Sequence, residues 1–359
     1  MELARHNQVW FFSAPDETMG SGYELFTAEE MGGVKLVRYK IFLPEIFKFK
    51  LPALYKRTTE KKLKALVKKL VGKVDWCIDF GCYQFFDNLD FVNADRKIYF
   101  PVDDFGNLKL TSRGAEKIFS VSTSIVEKFR CSGLDCAFIN HGLANVFAEK
   151  ARMKLTGKKI KEHANGHLKF GYSGNLFIRF LDIPVLQKII EGHPGVEFHF
   201  FGNTAYDPAN PQHLKWFEFL SSTANVQLHG FLKPEKLAQA YEEMDGFLLC
   251  YKPDYKDYHA ENSHKVFEYL STGKLIISTH LSLYEGNELI NMSPKDANHL
   301  LPGIFRQVIG RIHEYNAEEM QQRRLALALE NTYQKQVERI VNSFNSFTGG
   351  LAVAEKQLT

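Results

Sequence analysis

Short apolar runs alternate with amphipathic stretches along the whole chain. In the first half, the runs predict strands at 8–13, 34–39, 75–80, 97–102, 117–121 and 137–140, and the amphipathic stretches predict helices at 23–31, 59–71 and 123–132. In the second half, strands are predicted at 168–172, 196–201, 226–228, 246–250 and 275–278. Predicted helices there cover 183–191, 212–222, 234–244, 264–272, 303–314 and 317–345. Strands that alternate with helices are typical of α/β proteins with parallel sheets.

Residues 149–166 interrupt this alternation with a polar, basic sequence that is poor in large apolar side chains. Such a composition is typical of a linker, and 359 residues are enough for two domains. We therefore predict an N-terminal domain at 1–150, a linker at 151–166 and a C-terminal domain at 167–325. A last helix at 326–346 and a small polar tail at 347–359 complete the prediction.

Composition narrows the classes of function. The net charge of +3 is too small to indicate nucleic-acid binding. The five cysteines are odd in number, which favours reduced thiols, and their two Cys-x4-Cys pairs lack neighbouring histidine pairs. We therefore expect neither disulfides nor a metal site.

The N-terminus lacks a signal-peptide pattern, and no apolar run reaches the ~18–20 residues of a membrane span, so we expect a cytoplasmic protein.

The sequence from Glu261 to Thr279 carries the most informative charge pattern. It predicts a short helix that begins at Asn262 or Ser263 and ends at Gly273, followed by a buried strand. A lysine in the first turn opposes the helix dipole unless an anion binds there. Backbone amides and Lys265 would then hold a diphosphate, and Glu268, one turn further on, would contact a ribose. The alternative is a surface helix with a solvated Lys and Glu.

The motif Ser263-x-Lys265-x-x-Glu268-Tyr-Leu-x-x-Gly273 resembles the nucleotide-sugar-binding helix of GT-B glycosyltransferases, particularly glycosyltransferase family 4. The resemblance implies two Rossmann-like domains that face each other across a cleft, with a C-terminal helix that crosses back to the N-terminal domain. It also implies that Lys265, with Ser263, contacts the donor diphosphate and that Glu268 contacts the ribose. The same segment is similar to the donor loop of xanthan-type membrane-associated glucuronosyltransferases, which invert.

Two further segments fit this resemblance. Gly171-Tyr-Ser-Gly174-Asn175 is similar to the glycine loop that opens the family's donor domain, so Gly174 and Asn175 are expected at the diphosphate, with Arg179 as a second cation. The alternative is a plain turn. The strand and turn at 225–232 are similar to the family's nucleobase site, which implies that Phe231, Leu232 and Gly202 contact the base. An ordinary turn with a core Phe is the alternative.

Three carboxylates are candidates for catalysis. Asp103 and Asp104 follow a predicted strand, and glycosyl transfer requires deprotonation of the acceptor hydroxyl. Asp103 replaces a His that many family 4 members carry, and two adjacent Asp residues also form turns. Glu261 lies one place away from the first Glu of the family's Glu-x7-Glu signature, which falls on Ala260.

The segment 46–73 is strongly basic and contains exposed-type aromatics. Between Lys48 and Lys73 there are ten Lys and Arg residues against the single acid Glu60. Leu63, Leu66, Val67 and Leu70 form an apolar stripe, as in helices that lie on membrane surfaces. The segment therefore predicts peripheral contact with the inner face of a membrane. The alternative is an ordinary packed helix with a solvated lysine face.

Together these observations predict a metal-independent, retaining glycosyltransferase that needs no cofactor. Its donor would be a UDP- or GDP-linked hexose-type sugar, and its acceptor a glycan or a lipid-linked saccharide of cell-surface polysaccharide biosynthesis. Two alternatives remain: a nucleotide-sugar epimerase of the same fold, and a degenerate binding or scaffold subunit. A nicotinamide dehydrogenase is disfavoured, because no Gly-x-Gly-x-x-Gly follows a predicted strand.

Overall fold

The computed structural model describes residues 2–81, 88–103, 108–157, 167–255, 258–259 and 261–345. The chain divides into two compact units. Unit 1 comprises Met1–Asn140 and Val337–Asn345, and unit 2 is built on His141–Gln336. Each unit has its own sheets and its own buried side chains.

Unit 1 contains two sheets. The first joins β1 (Trp10–Phe12), β2 (Tyr23–Ala28) and β3 (Val34–Tyr39) in the order β1-β3-β2, with β1 parallel and β2 antiparallel to β3. Helices α1 (Phe47–Lys50) and α2 (Pro52–Leu70) follow. The second sheet is parallel, in the order β4 (Val74–Asp79), β5 (Ala94–Tyr99), β6 (Lys117–Ser120) and β7 (Cys136–Phe138), and α3 (Thr123–Cys131) joins its last two strands.

Strand β2 corrects the prediction of a helix at 23–31. All six of its residues pair with β3, from Tyr23 opposite Tyr39 to Ala28 opposite Val34. Only Glu29–Met31 form a helical turn, of the 3-10 type. The helix-favouring residues Ala28–Met31 lie at the end of this segment, whereas Tyr23, Phe26 and Thr27 favour a strand and pair with β3.

Helix α2 is longer than predicted, and its apolar stripe is not available to a membrane. Leu63 and Leu66 are buried together with Tyr55 beneath the first sheet, where they pack near Val37 and Tyr39. This arrangement matches the packed helix that was the alternative for this segment. The lysines remain on the outer side of the helix.

Unit 2 contains a six-stranded, fully parallel sheet with the order β10-β9-β8-β11-β14-β15. The strands are β8 (Leu168–Ser173), β9 (Val196–Phe201), β10 (Val226–Gly230), β11 (Gly246–Leu249), β14 (Leu275–Ser278) and β15 (Ile290–Met292). A two-stranded hairpin consists of β12 (Asp254–Tyr255) and β13 (Tyr258–His259). The helices are α4 (Asn145–Leu155), α5 (Ile183–Glu191), α6 (Pro211–Ser222), α7 (Pro234–Tyr241), α8 (Lys265–Leu270), α9 (Leu301–Ile309), α10 (Ile312–Tyr315), α11 (Glu318–Leu329) and α12 (Tyr333–Asn345).

Two predicted boundaries are corrected in unit 2. The linker composition that begins at 149 is helical up to Leu155, because Phe147, Ala148 and Ala151 form a buried stripe on α4. Residues 158–166 lie outside the described residues. The single helix predicted at 317–345 is two helices, α11 and α12, separated by a break at Asn331 and Thr332.

Helix α12 begins in unit 2 and ends in unit 1. Its residues from Val337 onward belong to the compact unit of the N-terminal strands. Ile340 and Phe344 pack against the apolar cluster that includes Ile98 and Phe119. The return of the last helix to the N-terminal unit agrees with the crossover that the resemblance implied.

The described cysteines, Cys77, Cys131, Cys136 and Cys250, carry free thiols. Cys82 lies outside the described residues. None of the helices in the described parts of the chain combines the length and the apolar character that a membrane crossing requires.

Candidate active site

Three glycines follow neighbouring strands of the unit 2 sheet. Gly174 follows β8, Gly202 follows β9, and Gly230 ends β10. Backbone hydrogen bonds join them in series: Gly174 N donates to Phe201 O at 2.8 Å, and Gly202 N donates to Gly230 O at 2.9 Å. The carboxyl ends of strands in open α/β sheets are the usual place for a ligand. The glycines therefore form one backbone surface at this edge.

Only glycine fits at position 202 in this arrangement. A Cβ atom added there would lie 1.9 Å from the carbonyl oxygen of Gly174. Since that neighbour is backbone, no side chain can rotate away to relieve the clash. The two glycines therefore let the loops after β8 and β9 approach each other closely.

Lys265 lies directly against Gly174. A Cβ atom added to Gly174 would be 2.7 Å from Lys265 Cε and 3.3 Å from its Nζ. The structure thus brings together two residues that were predicted to contact the same diphosphate. Among the described residues, none makes a hydrogen bond or an ion pair with the Lys265 ammonium group. A half-buried cation next to open backbone is suited to bind an anion.

Tyr269 fixes the position of the helix that carries Lys265. The backbone N–H of Ser173 donates a hydrogen bond to the Tyr269 hydroxyl at 2.8 Å, and the Ser173 Oγ lies 3.1 Å from the same hydroxyl. The Tyr269 ring stacks on Phe247 with 4.2 Å between centroids. Because Lys265 and Tyr269 are four residues apart, they share one helix face. Tyr269 therefore holds Lys265 beside the residue that follows Ser173.

Glu268 lies on the next part of the same helix and is half-buried. The Tyr241 hydroxyl donates a hydrogen bond to its carboxylate at 3.3 Å. Burial raises the pKa of Glu268 to about 7, although the charge of Lys265 and the Tyr241 hydrogen bond act in the opposite direction. A carboxylate held in this way can accept hydrogen bonds from neutral hydroxyl groups.

Neither Asn262 nor Ser263 caps the helix, which corrects that prediction. Helix α8 begins at Lys265, the residue before it has helical backbone angles, and no side chain caps its N-terminus. The Asn262 side chain accepts a hydrogen bond from the Tyr284 hydroxyl at 3.3 Å instead. Ser263 is buried, and its carbonyl oxygen accepts from Val266 N at 3.0 Å. With six residues, α8 ends at Leu270, and Gly273 closes the following turn with a φ of 77°.

The remaining diphosphate candidates lie on the exposed turn after β8. The Asn175 side chain accepts a hydrogen bond from Phe177 N at 2.9 Å and so stabilises the turn itself. Arg179 is exposed, and its carbonyl oxygen accepts from Lys252 Nζ at 2.9 Å. No described residue makes a hydrogen bond or an ion pair with the Arg179 guanidinium. No contact between described residues joins Arg179 to Lys265. The place of Arg179 at the diphosphate therefore stays a prediction.

The nucleobase candidates surround the turn after β10. Phe231 is 78% exposed, and Leu232 is half-buried. Sequence reasoning missed an aromatic stack beneath this turn, in which the Phe201 ring lies 4.6 Å from that of His229. His199 continues the stack at 5.1 Å from His229, with 2.9 Å between His199 Nδ1 and His229 Nε2. The alternation of Phe and His in β9, together with His229 in β10, is the signal that could have indicated it.

The three catalytic candidates fall in different places. Glu261 is buried in unit 2, and its carbonyl oxygen accepts from Leu283 N at 3.3 Å. Asp103 belongs to unit 1, where it is exposed beyond the end of β5. Asp104 and Ala260 lie outside the described residues. The catalytic assignments therefore stay predictions.

Comparisons with known proteins concern the fold of this chain and one sequence family model. Residues 184–342 match the family model described as glycosyl transferase-like. Sucrose-phosphate synthase from Thermosynechococcus elongatus is similar over 96% of this chain and 90% of its own, with a TM-score of 0.64 and 12% identity. OtsA is similar over 97% and 95%, with a TM-score of 0.64 and 11% identity. The chain has the GT-B fold.

The GT-B fold was the one predicted from the Lys265 and Glu268 motif, and this resemblance is confirmed. HepE from Anabaena, solved in complex with UDP and glucose, is similar over 89% of this chain and 88% of its own. Its TM-score is 0.58 and its identity 11%. None of the curated proteins compared matches the chain in sequence.

Proposed function

We propose that this GT-B protein is a glycosyltransferase whose donor is a nucleotide-diphosphate sugar. The observation that carries the proposal is the Lys265 ammonium group, which lies against Gly174 and makes no hydrogen bond or ion pair with any described residue. Backbone hydrogen bonds join the Gly174 turn to the turns after β9 and β10, and Glu268 lies one helical turn from Lys265. This set offers a cation for a diphosphate and a carboxylate for a ribose diol.

The donor is a UDP- or GDP-linked hexose-type sugar. Charge on the leaving diphosphate is stabilised by Lys265 and by backbone amides, so the reaction proceeds without a metal ion and without a cofactor. The stereochemistry is retaining. Asp103, Asp104 and Glu261 are the carboxylates proposed to act at the transferred sugar or at the acceptor hydroxyl. Phe231, Leu232 and Gly202 contact the base, and Asn175, Ser263 and Arg179 complete the diphosphate contacts.

The acceptor is a glycan or a lipid-linked saccharide of cell-surface polysaccharide biosynthesis. The basic segment 46–73 supports a place for this enzyme at the cytoplasmic face of a membrane. HepE, which was solved with UDP and glucose, has the same fold and supports a nucleotide-sugar donor. No nucleic acid takes part in this function.

A calorimetric panel tests the donor site. UDP, GDP, ADP, CMP and their common sugar conjugates are titrated into the wild-type protein and into Lys265→Ala. We expect one nucleotide to bind selectively and Lys265→Ala to weaken it by about 10- to 100-fold, since a charge-assisted hydrogen bond is lost. Lys215→Ala is the matched control, because this exposed lysine lies on α6, which does not carry the site.

The same panel separates the alternatives. Undiminished binding by Lys265→Ala would refute the assignment of the diphosphate site. An epimerase would convert the selected nucleotide sugar without any acceptor, and this conversion is visible by proton NMR. The absence of binding to any nucleotide would favour a scaffold subunit.

A further inference from the structure

Unit 1 contains an open cleft of about 760 Å³ at the carboxyl end of β3 and the amino end of β2. Its walls are the loop at Gly20–Gly22, the residues Lys40–Phe42 that follow β3, and one face of α2. This volume lies in the range of about 300–1,000 Å³ that is typical of ligand sites. All residues that line the cleft belong to unit 1, whereas Lys265 belongs to unit 2.

Helix α2 has two distinct faces. Tyr55, Thr59, Leu63 and Leu66 are buried. The face toward the cleft carries side chains three or four residues apart, namely Leu54, Arg57, Thr58, Lys61, Lys62 and Ala65. The helix is therefore held by its apolar face and presents cations to the cleft.

The cleft is positively charged. Its described lining includes Lys40, Arg57, Lys61 and Lys62 and contains no carboxylate. Lys40 donates hydrogen bonds to the carbonyl oxygens of Glu17 at 3.1 Å and Met19 at 2.9 Å. In the described part of the chain, Arg57, Lys61 and Lys62 have neither a hydrogen bond nor an ion pair with another side chain. Like charges three or four residues apart on a helix repel each other, and a bound anion would relieve this repulsion.

The rim of the cleft is apolar and exposed. Phe42 is 78% exposed and Leu54 is 46% exposed, and both line the cleft. The segment between them adds Ile46, which is 54% exposed, and Phe49, which is 77% exposed. Water is a poor environment for such a group of large apolar side chains. A ligand that fits must therefore be anionic at one end and apolar next to it.

We propose that this cleft binds the phosphate head of an anionic phospholipid at a membrane surface. The phosphate contacts Arg57, Lys61 and Lys62, and the first carbons of the lipid chains pack against Phe42 and Leu54. Phe49 and Ile46 enter the interface beside the bound lipid. The inference deepens the membrane contact of the proposed function, but it does not depend on the donor site.

Vesicle co-sedimentation of the full chain tests the proposal. One vesicle contains phosphatidylcholine alone, and the other contains phosphatidylcholine with 30% phosphatidylglycerol, a composition chosen as roughly that of an anionic leaflet. We expect binding that requires phosphatidylglycerol. The double variant Arg57→Gln/Lys61→Gln should weaken it by about 10-fold or more. Phe42→Ser should also weaken it, because the apolar rim is lost.

The matched control is Lys64→Gln/Lys68→Gln. It removes two charges with the same spacing from the same helix, and neither residue lines the cleft. We expect it to retain binding within about threefold of wild type. All four residues are exposed, so melting temperatures should stay close to the wild-type value and report any loss of folding.

Three results would overturn the proposal. Equal losses in the two double variants would mean diffuse electrostatic attraction rather than a lipid site. Binding that is equally strong without phosphatidylglycerol would show that the cleft does not recognise an anionic headgroup. Release from the vesicles by millimolar glycerol phosphate would mean a site for a soluble phosphate. Nucleotide binding by Arg57→Gln/Lys61→Gln is measured in parallel, so a failure of the lipid site is distinguished from a failure of the donor site.

Discussion

Lys265 and Glu268 are three residues apart on one short helix, yet their surroundings give them different properties. Lys265 lies against the bare backbone of Gly174 and makes no ion pair among the described residues, although its charge acts on the nearby Glu268. Glu268 is partly removed from water and shares a hydrogen bond with Tyr241, so its pKa is about 7. Perturbed carboxylates of this kind cluster at functional sites. The sequence identified both residues but could not indicate the burial that sets the Glu268 pKa.

Gly202→Ala should destabilise unit 2. The new Cβ would lie 1.9 Å from the Gly174 carbonyl oxygen, so the two loops must separate at a cost of about 1–3 kcal/mol or more. Chemical denaturation measures this change. Gly195→Ala is the control, because its nearest neighbour would be His167 Nδ1 at 4.0 Å. Equal stability of the two variants would contradict the close approach of these loops.

Glu268 should make stability depend on pH. The pKa of Glu268 in the folded protein is about 7, above the ordinary value of 4.5. Its contribution to the free energy of unfolding is therefore fully present below pH 4.5. As the pH rises from 4.5 to 7, the unfolded state releases the proton first, and stability is lost. Glu268→Gln should avoid this loss, which we expect to be about 1–3 kcal/mol. Urea unfolding from pH 4.5 to 7.5 measures it.

The exposed Glu235 provides the comparison for this experiment. Glu235→Gln removes a carboxylate from the surface of unit 2 and should follow the wild-type pH profile. If Glu268→Gln also runs parallel to wild type, Glu268 has an ordinary pKa and is not held in the environment described above.

Helix α8 is too short to be stable by itself, since isolated helices below about 12 residues are marginal in water. Its anchors are tertiary: Tyr269 joins it to Ser173 and Phe247, and Val266, Phe267 and Leu270 are buried. The apolar periodicity predicted these buried positions. The hydroxyl of Tyr269 was not predicted to bond to another strand end, because such a contact depends on a residue nearly a hundred positions away.

Tyr269→Phe should therefore affect both stability and donor binding. It leaves the buried Ser173 N–H without its acceptor, which costs about 1–3 kcal/mol, and it loosens the helix face that carries Lys265. Thermal unfolding and nucleotide calorimetry measure the two effects. Tyr315→Phe is the control, because its hydroxyl has no hydrogen-bond partner among the described residues. Tyr269→Phe behaving like this control would argue against the anchoring role.

The elements that sequence patterns missed are those that depend on distant partners. Strand β2 is followed by the helix-favouring residues Glu29–Met31, but it pairs along its full length with β3. The predicted C-terminal helix breaks at Asn331 because its carbonyl oxygen accepts from Leu143 N at 2.7 Å, and Tyr333 N then donates to Leu143 O at 3.1 Å. Strands β9 and β14, whose residues are mostly apolar and buried, were predicted with their observed bounds.

At the scale of the whole molecule, helix α12 packs its last residues, Val337–Asn345, into unit 1. Phe344 packs edge-on against Trp76 at 4.9 Å, with Arg96 and Lys117 over its ring. Phe344 and Ile340 both pack against the core of unit 1. In the sequence they follow the strands of that core by more than two hundred residues. The stability of unit 1 therefore depends on the C-terminal segment.

Phe344→Ala should destabilise unit 1 by about 2 kcal/mol, less than a fully buried Phe, because this side chain is half-buried. Hydrogen exchange should then accelerate in β4–β7 and remain unchanged in the unit 2 sheet. Val341→Ala on the same helix is the control, since Val341 is 38% exposed. Uniform acceleration in both units would contradict the assignment of this segment to unit 1.

The central claim is that the strand ends of unit 2 bind the diphosphate of a nucleotide sugar. A crystal structure with the nucleotide selected by calorimetry tests it most directly. We expect the diphosphate oxygens within about 2.7–3.2 Å of Lys265 Nζ and beside Gly174 and Gly202, with the ribose hydroxyls on Glu268. A nucleotide bound elsewhere, or one whose diphosphate makes no contact with Lys265, would contradict the account.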